Sequence, residues 1–285
     1  MLELSELIRL PGLRPALYLQ DVQAVKQGIR RNFARRVLSY DQHACMQRLM
    51  AQGLVAIARR VMGQARRILE IGCGTGYLTG LLRQANLEAR LVALDLDASV
   101  VDAARRRLGL AAKVDWLVAD GETPLNGEYD LIIANATFQW FTCPEATMAA
   151  YYRNLAPGGA LSFSTLGPKT FRELAGALAQ AAESLQLSAP PKIPAQDFSN
   201  CQTWSDRLYR AGFRRVQLAR EMVTTTFPSV RQFLKALQAT GAGNPRPSRF
   251  SPRLLTAMIA AYEAGYGKNG AIPVSYEMIW ALARK

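Results

Sequence analysis

The sequence predicts an α/β fold built on a doubly wound, mostly parallel sheet, because short apolar runs alternate with helical stretches from Arg67 onward. A glycine-rich turn, Glu70-Ile-Gly72-Cys-Gly74-Thr-Gly76, follows the first run, and Asp95, Asp120 and Asn135 lie at the ends of the next three. With 285 residues, 49% of them hydrophobic, the chain suffices for one large domain with a helical elaboration.

Before the sheet, residues 21–62 carry a helical pattern: Val22, Val25, Ile29 and Phe33, then Met46, Leu49, Met50, Leu54 and Ile57, recur at spacings of three and four. Ser39-Tyr40-Asp41 reads as a helix end followed by an N-cap. Pro11-Gly12 and Pro15 mark residues 1–20 as loosely structured or as a lid. Strands are expected at Arg67–Ile71, Leu91–Asp95, Val114–Val118, Tyr129–Ala134 and Ala160–Ser164. Crossover helices are expected at Leu78–Gln84, Ala98–Leu108 (capped by Asp97) and Cys143–Leu155. Phe171–Leu185 and Trp204–Ala211 read as helices, and the proline-rich Ala189–Pro194 as a loop too irregular for the core. Val216–Phe227, rich in Val and Thr, reads as a strand. Pro228–Thr240 and Pro252–Ala264 read as helices with proline in first position, and Ile272–Ile279 as a closing, antiparallel strand. The expected organisation is an N-terminal helical lid over residues 1–62 and an α/β domain over 63–285, with helical insertions around 171–200 and 228–264 roofing the pocket.

Four cysteines far apart and a single histidine argue against structural zinc. No secretory signal and no apolar stretch near the ~20 residues of a membrane span are found, so the expected setting is a reducing cytoplasm, away from membranes. The balance of 35 Lys+Arg against 22 Asp+Glu gives +13, a field that attracts acidic macromolecules. The charge lies in short clusters: Arg30-Arg31 with Arg35-Arg36, Arg59-Arg60 with Arg66-Arg67, Arg105–Arg107, Arg214-Arg215, and Arg246, Arg249 and Arg253. For any one cluster, a plain solvated surface is the competing reading.

The glycine turn lets the backbone approach a ligand that side chains would block. Its E-x-G-x-G-x-G spacing departs from the G-x-G-x-x-G of dinucleotide sites and suits a nucleoside cofactor without a pyrophosphate. Asp95, followed by Leu96, stands where an acid accepts ribose hydroxyls, and Asp120-Gly121 where a carboxylate takes an adenine amino group. Asn135 ends the fourth strand at the same edge.

These residues, with Leu155-Ala-Pro-Gly-Gly159, resemble the class I S-adenosylmethionine-dependent methyltransferases, whose sheet is Rossmann-like. A narrower resemblance rests on Phe33, Ser39-Tyr-Asp-x-His-Ala44, Gln47, Asn135-Ala-Thr-Phe-Gln-Trp140, Phe163–Pro168 and Ile272-Pro-Val-Ser-Tyr276. Those segments resemble the malonyl-[acyl-carrier protein] O-methyltransferases of biotin synthesis. The resemblance implies S-adenosylmethionine as cofactor, bound by Glu70, Gly72, Gly74, Gly76, Asp95, Leu96, Asp120, Gly121 and Asn135, with no metal. It implies a malonyl carboxylate as acceptor, already ionised at neutral pH, so that positioning replaces a general base. Tyr40, His43, Gln139 and Trp140, with Tyr18 if the N-terminus folds over, are the candidate acceptor contacts. An acidic acyl carrier protein is the implied partner, docking on Arg246, Arg249 and Arg253, then Arg30 and Arg31. The protein itself is expected to be a monomer. RNA methylation, a methyltransferase-like assembly factor and a small free acid such as aconitate remain rivals; no RNA-binding module or aromatic stacking cluster accompanies the basic runs.

Overall fold

The computed structural model describes residues 15–123, 126–188, 191–240 and 251–285, and within them the side chains of all but 15–21, 38 and 111. Three helices come first: α1 (Pro15–Ala34), α2 (Val37–His43) and α3 (Cys45–Gln64). The expected helix end at Ser39-Tyr40-Asp41 is not there, since α2 runs through it and the chain breaks at Arg35-Arg36 and at Ala44. Neither polar side chain is free to cap: Ser39 Oγ donates back to the Arg36 carbonyl, and the Asp41 carboxylate is taken by Thr75 and Arg107.

The sheet elements follow as β1 (Arg67–Ile71), α4 (Tyr77–Ala85), β2 (Arg90–Asp95), α5 (Ala98–Leu108), β3 (Val114–Val118), β4 (Tyr129–Asn135), α6 (Pro144–Asn154) and β5 (Leu155–Leu166). After them come α7 (Arg172–Ser184), α8 (Cys201–Arg210), β6 (Arg215–Phe227), α9 (Val230–Ala239), α10 (Pro252–Tyr266) and β7 (Ile272–Arg284). The seven strands lie in the order β3-β2-β1-β4-β5-β7-β6. The neighbours from β3 to β5 pair in parallel, while β7 is antiparallel to both β5 and β6. This is the expected doubly wound sheet with one reversed strand, and β5 and β7 are longer than their apolar runs suggested. Leu155 already pairs with Tyr129, with a register shift before Leu131, so the strand reaches back through Pro157-Gly158-Gly159.

Burial explains the apolar runs. On one face Ile68, Leu131 and Ile133 meet Met50, Leu54 and Trp280; on the other Leu69, Ile132 and Ala134 meet Phe138, Phe163 and Trp204. A third apolar cluster lies among α7, α9 and α10, around Leu178, Phe233, Met258 and Tyr262. Ile193 and Ala195 join it at 5% and 3% exposure, which corrects the reading of that segment as outside the core. A short turn of helix at Pro194–Asp197 turns the two side chains inward, and Gln196 Oε1 accepts the Ile193 N–H. Ser229, not Pro228, opens α9: its side chain accepts from Gln232 N, which leaves the proline before the cap. Pro252 does take the first position of α10, behind Ser251. Among the described residues no helix is long and apolar enough to cross a membrane.

The N-terminal helices are locked to the closing strand: Trp280 Nε1 donates to the Met50 carbonyl at 2.8 Å, and its ring lies against Gly53. A Cβ on Gly53 would come within 2.8 Å of the indole. Gly53→Ala gains about 1 kcal/mol of helix propensity but overpacks a buried ring at a typical cost of 1–3 kcal/mol. Urea unfolding is expected to show a net loss of stability, and an unchanged or raised midpoint would mean that the indole moves freely.

Candidate active site

The carboxyl ends of β1, β2 and β4 open into a cavity of about 130 Å³, covered by Lys26, Ile29, Phe33, Val37 and Tyr40 of the N-terminal helices. Such strand ends are where ligands bind in open α/β sheets. The glycine turn forms its floor. Gly72 and Gly74 have φ of +69° and +54°, and a Cβ on Gly72 would run into the Thr137 side chain. Gly76 caps α4 at φ +83° and packs on Ala104, outside the residues that line the cavity.

Asp95, at the tip of β2, accepts the Gly74 N–H on Oδ2 at 3.0 Å and faces the same cavity beside Leu96. Burial raises its pKa, and N–H donors from Gly74, Asp97 and Leu96 oppose the rise. Asp97 caps α5 through Ser99 N, as its position before Ala98 implied, and also binds Arg30 Nε at 2.8 Å. At the end of β3, Asp120 Oδ1 accepts from Glu122 N while Oδ2 is held by the Lys26 ammonium. The neighbouring Gly121 is packed so closely that a Cβ would lie 2.5 Å from Ile71 Cγ2. Glu122 accepts from Thr142 N and Cys143 N and pairs with Lys26 at 2.9 Å. Burial pulls the Lys26 pKa down, but the two carboxylates outweigh it and hold the ammonium above its ordinary value.

A smaller recess of about 40 Å³, lined by Glu70, Gln47 and Arg48, shares Tyr40, Gly72 and Asn135 with the main cavity. Glu70 is 1% exposed, and both of its carboxylate oxygens lack a hydrogen-bond partner. Burial pushes its pKa up to about 8, against the opposing effect of Thr79 and with a further rise from Asp95. An orphaned carboxyl of this kind fits a ligand that brings its own cation. Asn135 is less free than the sequence suggested: Nδ2 donates to Gln47 O at 3.0 Å and Oδ1 accepts from Ser164 Oγ at 2.6 Å.

Of the acceptor candidates, Tyr40 and Trp140 line the cavity. Phe33 stands between them, with ring centroids 6.1 Å from Tyr40 and 5.9 Å from Trp140. Burial, then Asp95 and Asp41, raise the Tyr40 pKa, so its hydroxyl stays protonated and serves as a donor. His43 is exposed at the end of α2 and lines neither cavity. Gln139 is also outside the lining, its amide spent on Ala136 O and Thr165 Oγ1. Tyr18 falls on α1, but its side chain lies outside the described residues, as do Arg246 and Arg249 entirely. Arg31 and Arg253 are exposed, and Arg30 is engaged by Asp97. Among the described residues no cluster of three metal-ligating side chains occurs.

Lys26, Glu122 and Thr137 also line the cavity, and sequence reasoning missed them. Lys26 had one legible signal, a cation on the same helical stripe as Val22, Ile29 and Phe33.

Residues 69–163 match the family model described as a methyltransferase domain. The fold is shared with two solved structures. The N-methyltransferase NodS from Bradyrhizobium japonicum, in complex with S-adenosyl-l-homocysteine, is 15% identical with a TM-score of 0.50, over 90% of this chain and 98% of that one. Phosphoethanolamine N-methyltransferase 2 from Haemonchus contortus, in complex with S-adenosyl-L-methionine, is 16% identical with a TM-score of 0.54, over 88% and 57%. Fold and domain thus define a methyltransferase of the Rossmann-like class. A malonyl-[acyl-carrier protein] O-methyltransferase from Anoxybacillus flavithermus is 37% identical over 90% of this chain and 96% of its own length. One of the same name from Brevibacillus brevis is 33% identical over 90% and 96%. The chain belongs to the malonyl-[acyl-carrier protein] O-methyltransferase family, and it is an S-adenosylmethionine-dependent O-methyltransferase.

The Glu70 carboxyl sets a pH dependence. Between about 4.5 and 8 it is protonated when folded and ionised when unfolded, so its contribution to stability is present at the acid end and is lost as pH rises through that window. Glu70→Gln, which cannot ionise, is expected to melt above the parent by a margin that widens from pH 5 to pH 8.5. A constant margin in thermal unfolding would rule this out.

Proposed function

We propose that this protein methylates the free carboxylate of a malonyl group carried as a thioester on acyl carrier protein, giving the methyl ester that enters synthesis of the pimelate part of biotin. The observation that carries this reading is identity of 30–37% to proteins of that activity by name, along about nine-tenths of the chain.

S-adenosylmethionine supplies an electrophilic methyl on a sulfonium. The unpaired Glu70 carboxyl is suited to its α-ammonium, and Gly72 and Gly74 leave room for its backbone-hugging half. Asp95 and Leu96 face the position of the ribose, and Asp120 Oδ2 is the acceptor for an adenine amino group. Glu70, neutral in the empty protein, ionises beside the ammonium, and this gain in charge pairing favours the cation.

The acceptor needs no base, because a carboxylate with an ordinary pKa of about 4 is already ionised. The Tyr40 hydroxyl and the Trp140 and Phe33 rings hold it in line and keep water away. Oxygen bonds to the methyl carbon as the carbon–sulfur bond breaks, leaving a neutral ester and S-adenosylhomocysteine. An acidic carrier meets the exposed arginines Arg31, Arg35 and Arg36 at the covering helices, and Arg253 on α10, Arg246 and Arg249 remain proposed contacts.

Incubation with labelled cofactor and, in parallel, malonyl-acyl carrier protein, malonyl-coenzyme A, aconitate and RNA is expected to label the carrier-linked malonyl group, with kcat/KM falling several-fold from about 50 to 300 mM salt. Label on RNA or aconitate alone overturns the reading. The Lys26 ammonium holds the oxygen that the adenine amino group needs, so Lys26→Met is expected to tighten S-adenosylhomocysteine binding by about 5-fold, the equivalent of one partly exposed ion pair. Equal or weaker binding by calorimetry would make the ammonium a ligand contact instead of a competitor.

A further inference from the structure

The far end of the sheet carries basic clusters that the methyl-transfer site leaves unused. Arg215 opens β6 and Arg284 closes β7, and the two stand directly opposite each other in the antiparallel register. Like charges in that arrangement repel across the shared face. The same register puts Gln217 opposite Leu282, and Leu282 packs in the cluster beneath α3. From α3, Ile57, Arg60, Val61 and Gln64 project toward that face at spacings of three and four. Together these side chains line a groove of about 540 Å³, within the range of small-molecule sites.

Three features of the groove agree. Its charged lining is Arg60, Arg215 and Arg284 with no carboxylate. None of the three arginines forms an ion pair with the described residues. Its floor is apolar, with Val61 and Leu282 at 7% and 8% exposure, and the amides of Gln64 and Gln217 add neutral donors. Guanidinium groups converging from two strands and a helix match the planar, bidentate geometry that phosphoryl oxygens accept.

We propose that this groove binds an organic ligand bearing two adjacent phosphoryl groups, whose charge relieves the Arg215–Arg284 repulsion while its apolar part rests on Val61 and Leu282. The site is at the amino ends of the parallel strands, opposite the cavity at Gly72, Asp95 and Asn135, so both can be filled at once. It is independent of the acceptor proposed above.

Calorimetric titration of inorganic diphosphate, and separately of a nucleoside diphosphate, into protein saturated with S-adenosylhomocysteine at fixed ionic strength tests this. One saturable site is expected, tighter for the nucleoside diphosphate. Arg215→Gln/Arg284→Gln is expected to weaken it at least 10-fold, to leave S-adenosylhomocysteine affinity unchanged and to raise the melting temperature of the ligand-free protein. Intact S-adenosylhomocysteine binding shows that the variant is folded. No saturable heat with either probe, equal affinity in the variant, or equal affinity for both probes overturns the proposal.

Discussion

The hydrogen bond from Gly74 N–H to the Asp95 carboxylate is the constraint on which the cofactor end of the molecule depends. It ties the tip of β2 to a turn whose backbone sits at positive φ, so the turn keeps its shape without a side chain inside it. One oxygen of a buried acid is thereby committed to the scaffold, and the rest of the carboxylate still faces the cavity. The desolvation of that acid is partly offset by three backbone donors, whereas Glu70, one strand over, is opposed only by Thr79 and is raised to about 8. The two carboxyls therefore differ in kind: one is tied into the scaffold by backbone donors, the other is buried with its oxygens unpaired.

Over this floor the N-terminal helices are fastened by polar clasps. Lys26 grips Asp120 and Glu122, Arg30 grips Asp97, and Asp41 takes the Thr75 hydroxyl at 2.6 Å and Arg107 at 3.0 Å. These contacts join the cover to the strand tips, to the glycine turn and to α5. Charged pairs at partly exposed positions are individually weak. That suits a cover over a nucleoside cofactor that must come and go.

How much of this was legible depended on how local the signal was. Asp97 ahead of Ala98, the glycine turn after β1 and the Val- and Thr-rich β6 announced themselves within a few residues, and all fall where the pattern put them. What escaped was set at long range. Lys26 meets Asp120 across 94 positions, and no periodicity encodes that. Ser39 and Asp41 resemble caps, yet their oxygens serve other partners. His43 and Gln139 looked chemical by type, but one faces solvent and the other is consumed by its own loop. Ile193 and Ala195 were hidden by the prolines beside them, because a proline-rich segment can still turn apolar groups inward.

The placement of β7 between β5 and β6 has a bearing on how the chain matures. Both neighbours emerge from the ribosome earlier and must wait with an open ladder edge until the seventh strand slides in. Trp280, which pins Met50, arrives with that strand, so the first long helices lack their anchor until it has emerged. Nascent protein is exposed to wrong pairing until then, and damage confined to β7 is felt in α3, where Met50 loses its partner.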